Sequence, residues 1–132
     1  MLFAVCDATG VEIEGSTQDL QELSRKVRHC SDLCEIAVSA PADYDNRGLR
    51  YLKRLVLKVG SGPLSIAVSD QQVSFSGSKD KLDLLAENID SLVDPKNVEN
   101  VQKTRDHLHI EFYPGHFFLS EDALPLVLIR QD

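Results

Sequence analysis

Slid against itself by 62 residues, the 132-residue chain aligns its two halves without a gap. Identities fall at 12 of the 70 positions compared, which is few, so their placement has to carry the argument. Leu2/Leu64, Val11/Val73, Gly15/Gly77, Ser16/Ser78, Leu20/Leu82 and Leu23/Leu85 recur in order at strands, a turn, a cap and a helix face. Asp32/Asp94, Tyr51/Tyr113, Leu57/Leu119, Pro63/Pro125, Leu64/Leu126 and Asp70/Asp132 continue the register to the end. A chain written twice this way must bury the same apolar pattern twice.

The segments 11–16 (VEIEGS) and 73–78 (VSFSGS) alternate apolar and polar residues and end at a glycine, as a one-sided strand does. Each is preceded by a second apolar strand, LFAVCD (2–7) or LSIAVSD (64–70), so each forms the return of a hairpin. Ser16 or Thr17, and Ser78, stand where a helix N-cap belongs. Behind them Leu20, Leu23 and Val27, and Leu82, Leu85, Ile89 and Leu92, recur at helical spacing over 17–29 and 79–92. The fold class expected is α+β, a mostly antiparallel sheet with two amphipathic helices, built as two pseudo-repeated hairpin–helix–strand units. One domain spans 1–132, with halves 2–60 and 64–122 and a final strand over 125–131. LVLIRQD (126–132) reads as a third copy of the hairpin's opening strand. Residues 2–59 and 64–121 are expected to superpose, with their leucines facing the sheet. Segment 41–49 reads as a loop, and 96–105 is ambiguous between strand, helical turn and loop.

A chain of this length buries roughly two-thirds of its unfolded surface and needs no disulfide or metal to fold. The formal charge of −7 argues against binding nucleic-acid phosphates and suits a soluble protein or one with a basic partner. No apolar run approaches the ~18 residues of a membrane span. MLFAVCD lacks a basic flank and reads as a strand and not as a signal peptide. Three cysteines, Cys6, Cys30 and Cys34, without framework spacing favour reduced thiols and a cytoplasmic location. The basic run Arg47, Arg50, Lys53, Arg54 and Lys58 reads as the wet face of a strand.

Chemistry concentrates at residues 106–129. His107, His109, Glu111 and Tyr113 alternate with Leu108, Ile110 and Phe112, which puts the polar set on one strand face. With His116, the two histidines and Glu111 have the residue types of a metal site, and a metal-binding or metal-dependent enzyme is the alternative reading. A solvent-facing polar strip is the stronger one, because no further ligand comes from a distant strand; no metal or other cofactor is expected. There is no nucleophile elbow or phosphate-binding loop, and the acid pairs Glu12/Glu14 and Glu121/Asp122 fall in surface strands and loops where carboxylates are solvated. The element Phe112-Tyr113-Pro114-Gly115-His116-Phe117-Phe118 combines strong turn chemistry with more rings than a solvated turn requires. It closes a core or meets a protein partner, and core is the expectation.

DHLHIEFYPGHFFL followed by ALPLVL resembles the C-terminal signature of the immunity-protein 32 family of bacterial polymorphic-toxin systems, over roughly residues 64–132. The matching positions are Asp106, His107, His109, Tyr113, Pro114, Gly115 and His116, motif members without an assigned role. The resemblance implies a small cytoplasmic α+β protein, non-enzymatic, that binds and neutralises a cognate toxin domain. The acidic charge adds that the toxin surface is basic and leaves nucleic acid out as a partner, and the lack of a membrane-length apolar run leaves the membrane out.

Overall fold

The computed structural model describes residues 1–39, 49–94 and 107–131. Two hairpins open the halves. Strands β1 (Phe3–Asp7) and β2 (Gly10–Gly15) turn through Ala8-Thr9. The Asp7 carboxylate holds that turn, accepting from the Thr9 amide (2.7 Å), the Thr9 hydroxyl (2.6 Å) and the Gly10 amide (3.2 Å). Strands β6 (Ser65–Ser69) and β7 (Gln72–Gly77) turn instead through Asp70-Gln71, both at positive φ, the mirror-image turn whose twist suits a hairpin. Helix α1 (Thr17–His29) follows the first hairpin and α2 (Lys79–Val93) the second. The strand bounds of the two hairpins and the first residues of the two helices are 62 residues apart.

Gly15 and Gly77 end β2 and β7 just before the helix caps. A Cβ on Gly77 would lie 3.0 Å from the Leu64 Cα, and one on Gly15 would lie 2.9 Å from the Leu2 side chain. Close passage of the Leu64 backbone therefore requires glycine at 77, whereas the contact at 15 is with the movable end of a side chain.

The remaining strands are exchanged between the halves. β3 (Leu33–Ala37) and β5 (Arg54–Val59) pair with each other, and β5 lies parallel to β7. β8 (His107–Ile110) and β9 (Leu126–Arg130) pair likewise, and β9 lies parallel to β2. With the short β4 (Arg50–Tyr51) on the β1 edge, the first sheet has the order β4-β1-β2-β9-β8 and the second β3-β5-β7-β6. Each sheet thus takes a hairpin from one half of the chain and two strands from the other.

This arrangement corrects three expectations. The 62-residue offset ends with the helices. It would place the counterpart of β5 at 116–121, which is not a strand, whereas β9 takes the parallel position that β5 takes in the other sheet. The cause is the length of the connection after each helix: β3 starts four residues past α1, β8 fourteen past α2. Second, β9 is not a third copy of β1, which is antiparallel to its hairpin partner; β9 runs parallel beside β2. Third, the basic run does not share one strand: Arg50 lies in β4 and Arg54 and Lys58 in β5, which belong to different sheets and part at Leu52-Lys53, while Arg47 lies outside the described residues. The expectations for 41–48 and 96–105 lie outside the described residues.

The inner faces and helices share one core. Leu20, Leu23 and Val27 of α1, and Leu82, Leu85 and Ile89 of α2, are buried, as expected. Leu23, Val27, Leu85 and Ile89 meet Ile13 and Leu128 of the first sheet and Leu55, Leu57 and Phe75 of the second. Each buried leucine contributes about 1.5–3 kcal/mol of hydrophobic stabilisation. Where the helices cross, the buried Ser24 hydroxyl donates to the Ala86 carbonyl (3.3 Å) and the Asp90 carboxylate (2.5 Å), and Arg28 pairs with Asp90. Lys26 and Arg28 give the last turn of α1 its own cations, which suit the negative end of the helix dipole. The last turn of α2 has none, and the buried Arg130 of β9 donates to its Leu92 carbonyl instead (2.8 Å).

Candidate functional site

The pairing registers assemble two rows on the outer face of the first sheet. Tyr51, Val5, Glu12, Val127 and His109 run across its five strands, and Phe3, Glu14, Ile129 and His107 run beside them. Their sequence neighbours Ala4, Cys6, Val11, Ile13, Leu126 and Leu128 point to the core, so these residues take the opposite face. Glu12 and His109 are exposed and the others half-buried. A pocket of about 250 Å³ opens beside Glu12, bordered by Val5, Asp7, His109, Pro125 and Val127 among others. Period-two alternation is legible in each strand alone. The union of β1, β2 and β9 with the histidine strand is not, because parallel pairing between distant segments leaves no local signal.

The structure places the histidine–aromatic motif in two parts. His107 and His109 sit on the edge strand β8, their rings edge to face at 4.9 Å. The strand ends at Ile110, so Glu111 and Tyr113 lie beyond it. His116 belongs to the turn. Its amide donates to the Tyr113 carbonyl (2.9 Å), closing a loop over Pro114 and Gly115, and Gly115 takes the positive φ. Its Nδ1 accepts from the amides of Phe118 (3.2 Å) and Leu119 (3.1 Å). Nδ1 must be unprotonated to do so, and burial pushes the imidazole pKa below its ordinary value. Phe112, Tyr113, Phe117 and Phe118 ring the imidazole.

Core and interface readings of this element divide by residue. Phe118 is buried and Phe112 packs against the core, whereas Tyr113 is 56% and Phe117 64% exposed. Among the described residues, no three or more His, Cys, Asp or Glu side chains stand close enough to hold a metal ion. His107, His109, Glu111 and His116 are therefore not gathered into one ligand set. Asp106 lies outside the described residues. The basic run is split as well: Arg54 and Lys58 lie on the outer face of the second sheet, where Arg54 donates to Gln72 (3.0 Å), and Arg50 lies in β4 of the first. No helix among the described residues is long and apolar enough to cross a membrane.

The span from β7 through α2 to β9 thus holds the motif, its supporting turn and the strand that joins it to the first sheet. Residues 72–131 match the family model of immunity protein 32. This is the family that the signature at 106–129 resembles, and the matched span contains every residue of that signature. No curated protein matches the chain.

Proposed function

We propose that the protein is a non-enzymatic immunity protein of the cytoplasm, which binds a cognate bacterial toxin domain and blocks it stoichiometrically. The match of residues 72–131 to immunity protein 32 carries this reading. The formal charge of −7 supports a toxin with a basic surface, since complementary fields speed encounter and fix orientation. The motif supports binding over turnover: His116 is occupied with two backbone amides, and the exposed Tyr113 and Phe117 are side chains of the kind that dominate interface energies.

The test is to co-express the chain with the toxin-like product of the neighbouring gene and to titrate the two purified proteins by calorimetry. A one-to-one complex and survival of the co-expressing cells are expected. Absence of both heat of binding and protection overturns the reading.

A further inference from the structure

We infer that the outer face of the first sheet is the surface that receives the toxin, and that it receives a protein surface offering Lys or Arg among apolar side chains. This inference rests on the immunity reading and adds to it the place and chemistry of contact.

The two outer faces differ in what they could bind. An antiparallel-type sheet with one face on the core usually turns polar residues outward. The second sheet largely does so: Ser65, Ser69, Gln72, Ser74 and Ser76 of its hairpin and Arg54 and Lys58 of β5 face outward, beside Ala67, Val56 and, on the edge strand β3, Leu33. On the first sheet Phe3 and Val5 stand where the second has Ser65 and Ala67, Val127 and Ile129 stand where it has Val56 and Lys58, and Tyr51 of β4 extends the row. The centres of protein interfaces are rich in aromatic and poor in Ser, Ala and Lys side chains, so the first face, with Phe3 and Tyr51 and without Ser or Lys in its two rows, has the composition closer to an interface.

Charge selects the partner. The charged side chains in the two rows are Glu12 and Glu14, both on the middle strand, and neither row contains Lys or Arg. Glu14 accepts from Gln131 (2.7 Å). Glu12 stands exposed between Val5 and Val127 at the mouth of the pocket that Asp7 and His109 also border. A partner covering this face removes water from both carboxylates and has to supply cations in its place. The pocket beside Glu12 has room for the end of one long basic side chain. Five strands at ~4.8 Å by five residues at ~3.3 Å span roughly 400 Å², so the face forms the centre of an interface of standard size.

The experiment measures affinity for the toxin product of the neighbouring gene with three variants of the full chain. E12K/E14K reverses the charge of the face, E12Q/E14Q removes it without reversal, and A67K/S74K adds the same lysines to the second sheet. E12K/E14K is expected to weaken binding by about a hundredfold or more and E12Q/E14Q by about tenfold, while A67K/S74K stays within about threefold of the parent. The parent's loss with rising salt should be flatter in E12Q/E14Q. Circular dichroism melts identify any variant that fails to fold, and the milder pair then decides. Folded E12Q/E14Q and E12K/E14K variants that bind like the parent overturn the surface while leaving the immunity reading intact. A parent chain that does not bind the toxin overturns both. A face that instead joins two copies of the chain, seen as a parent dimer made monomeric by E12K/E14K with toxin affinity unchanged, also overturns the proposal.

Discussion

Helix α1 is closed at its N-terminus by a reciprocal capping box: Ser16 accepts from the Asp19 amide (3.1 Å), and Asp19 accepts from the Ser16 amide (3.0 Å). Helix α2 begins with Ser78 in the same place and no side-chain bond to its amides. The third position of α2 is Lys81, which cannot accept, and the Ser78 hydroxyl turns to Asp80. Yet the inner faces of the two segments, 3–29 and 65–93, bury equivalent leucines. The outer sheet faces diverge further still: Phe3 and Val5 stand on one where Ser65 and Ala67 stand on the other, and Glu12 and Glu14 where it has Ser74 and Ser76. Packing against a common core holds inner positions alike, whereas a cap or an outer face answers only to its own surroundings.

The most severe way to break this comparison is in the core. Leu23→Ala and Leu85→Ala should each cost about 2–5 kcal/mol, since both side chains are buried against the sheets and each leaves a cavity. Because each sheet takes strands from both halves, we expect both variants to lower the midpoint of one shared urea transition. Separate transitions for the two halves would show that the chain does not fold as one domain.

The next test separates the two strand-to-helix turns. Gly77→Ala drives a Cβ against the Leu64 backbone and the Pro63 carbonyl (3.1 Å), neither of which can rotate away. A loss of about 1–3 kcal/mol is expected. At Gly15 the nearest atom is the far end of the Leu2 side chain, so Gly15→Ala should cost less. Equal midpoints in chemical denaturation would mean that the two turns are equally tight.

How far the residues foretell this fold depends on the range of the interaction. Hairpins and helices were legible because period two and helical spacing are local, and Leu20, Leu23, Leu82 and Leu85 are buried as their spacing requires. Strand pairing was not legible. The identities Tyr51/Tyr113 and Leu57/Leu119 lie beyond the helices, where unequal connections dissolve the 62-residue register; Tyr51 is in a strand and Tyr113 is not. The motif was legible as a cluster and misleading as a strip. Pro114-Gly115 signals the turn, but nothing local reveals that His116 serves two backbone amides.

That histidine gives a smaller effect, outside the offset. His116→Ala removes the acceptor for the Phe118 and Leu119 amides and should cost about 1–2 kcal/mol at neutral pH. Its folded pKa is depressed, so the contribution is fully present above the ordinary imidazole value of ~6.5 and is lost as pH falls through the lower folded value. The stability difference between parent and variant should therefore shrink in denaturation series taken from pH 7 towards pH 5. A difference that grows on acidification would mean that the imidazolium, and not the neutral ring, is the form the turn holds.

The smallest effect probes the caps themselves. Ser16→Ala removes the acceptor of the Asp19 amide and exposes the box to competition from water, at a cost of about 1 kcal/mol within the usual range of 0.5–2. Ser78→Ala removes a hydroxyl that bonds to the exposed Asp80 side chain and to no helix amide, and should change stability by only a few tenths of a kcal/mol. The ratio of the two losses, read from urea midpoints at constant slope, matters more than either value. If the serines proved equivalent, the cap difference between the helices would have no energetic meaning, and the two segments would be alike at their edges as well as in their core. A further substitution sharpens the point: Lys81→Glu supplies α2 with an acceptor where α1 has Asp19, and if that carboxylate wins the Ser78 amide from the Gly62 carbonyl (3.0 Å), Ser78 should gain the dependence that Ser16 shows. Failure of Ser78→Ala to become more costly in the Lys81→Glu background would place the cause in the backbone at Ser78 and not in the missing third-position carboxylate.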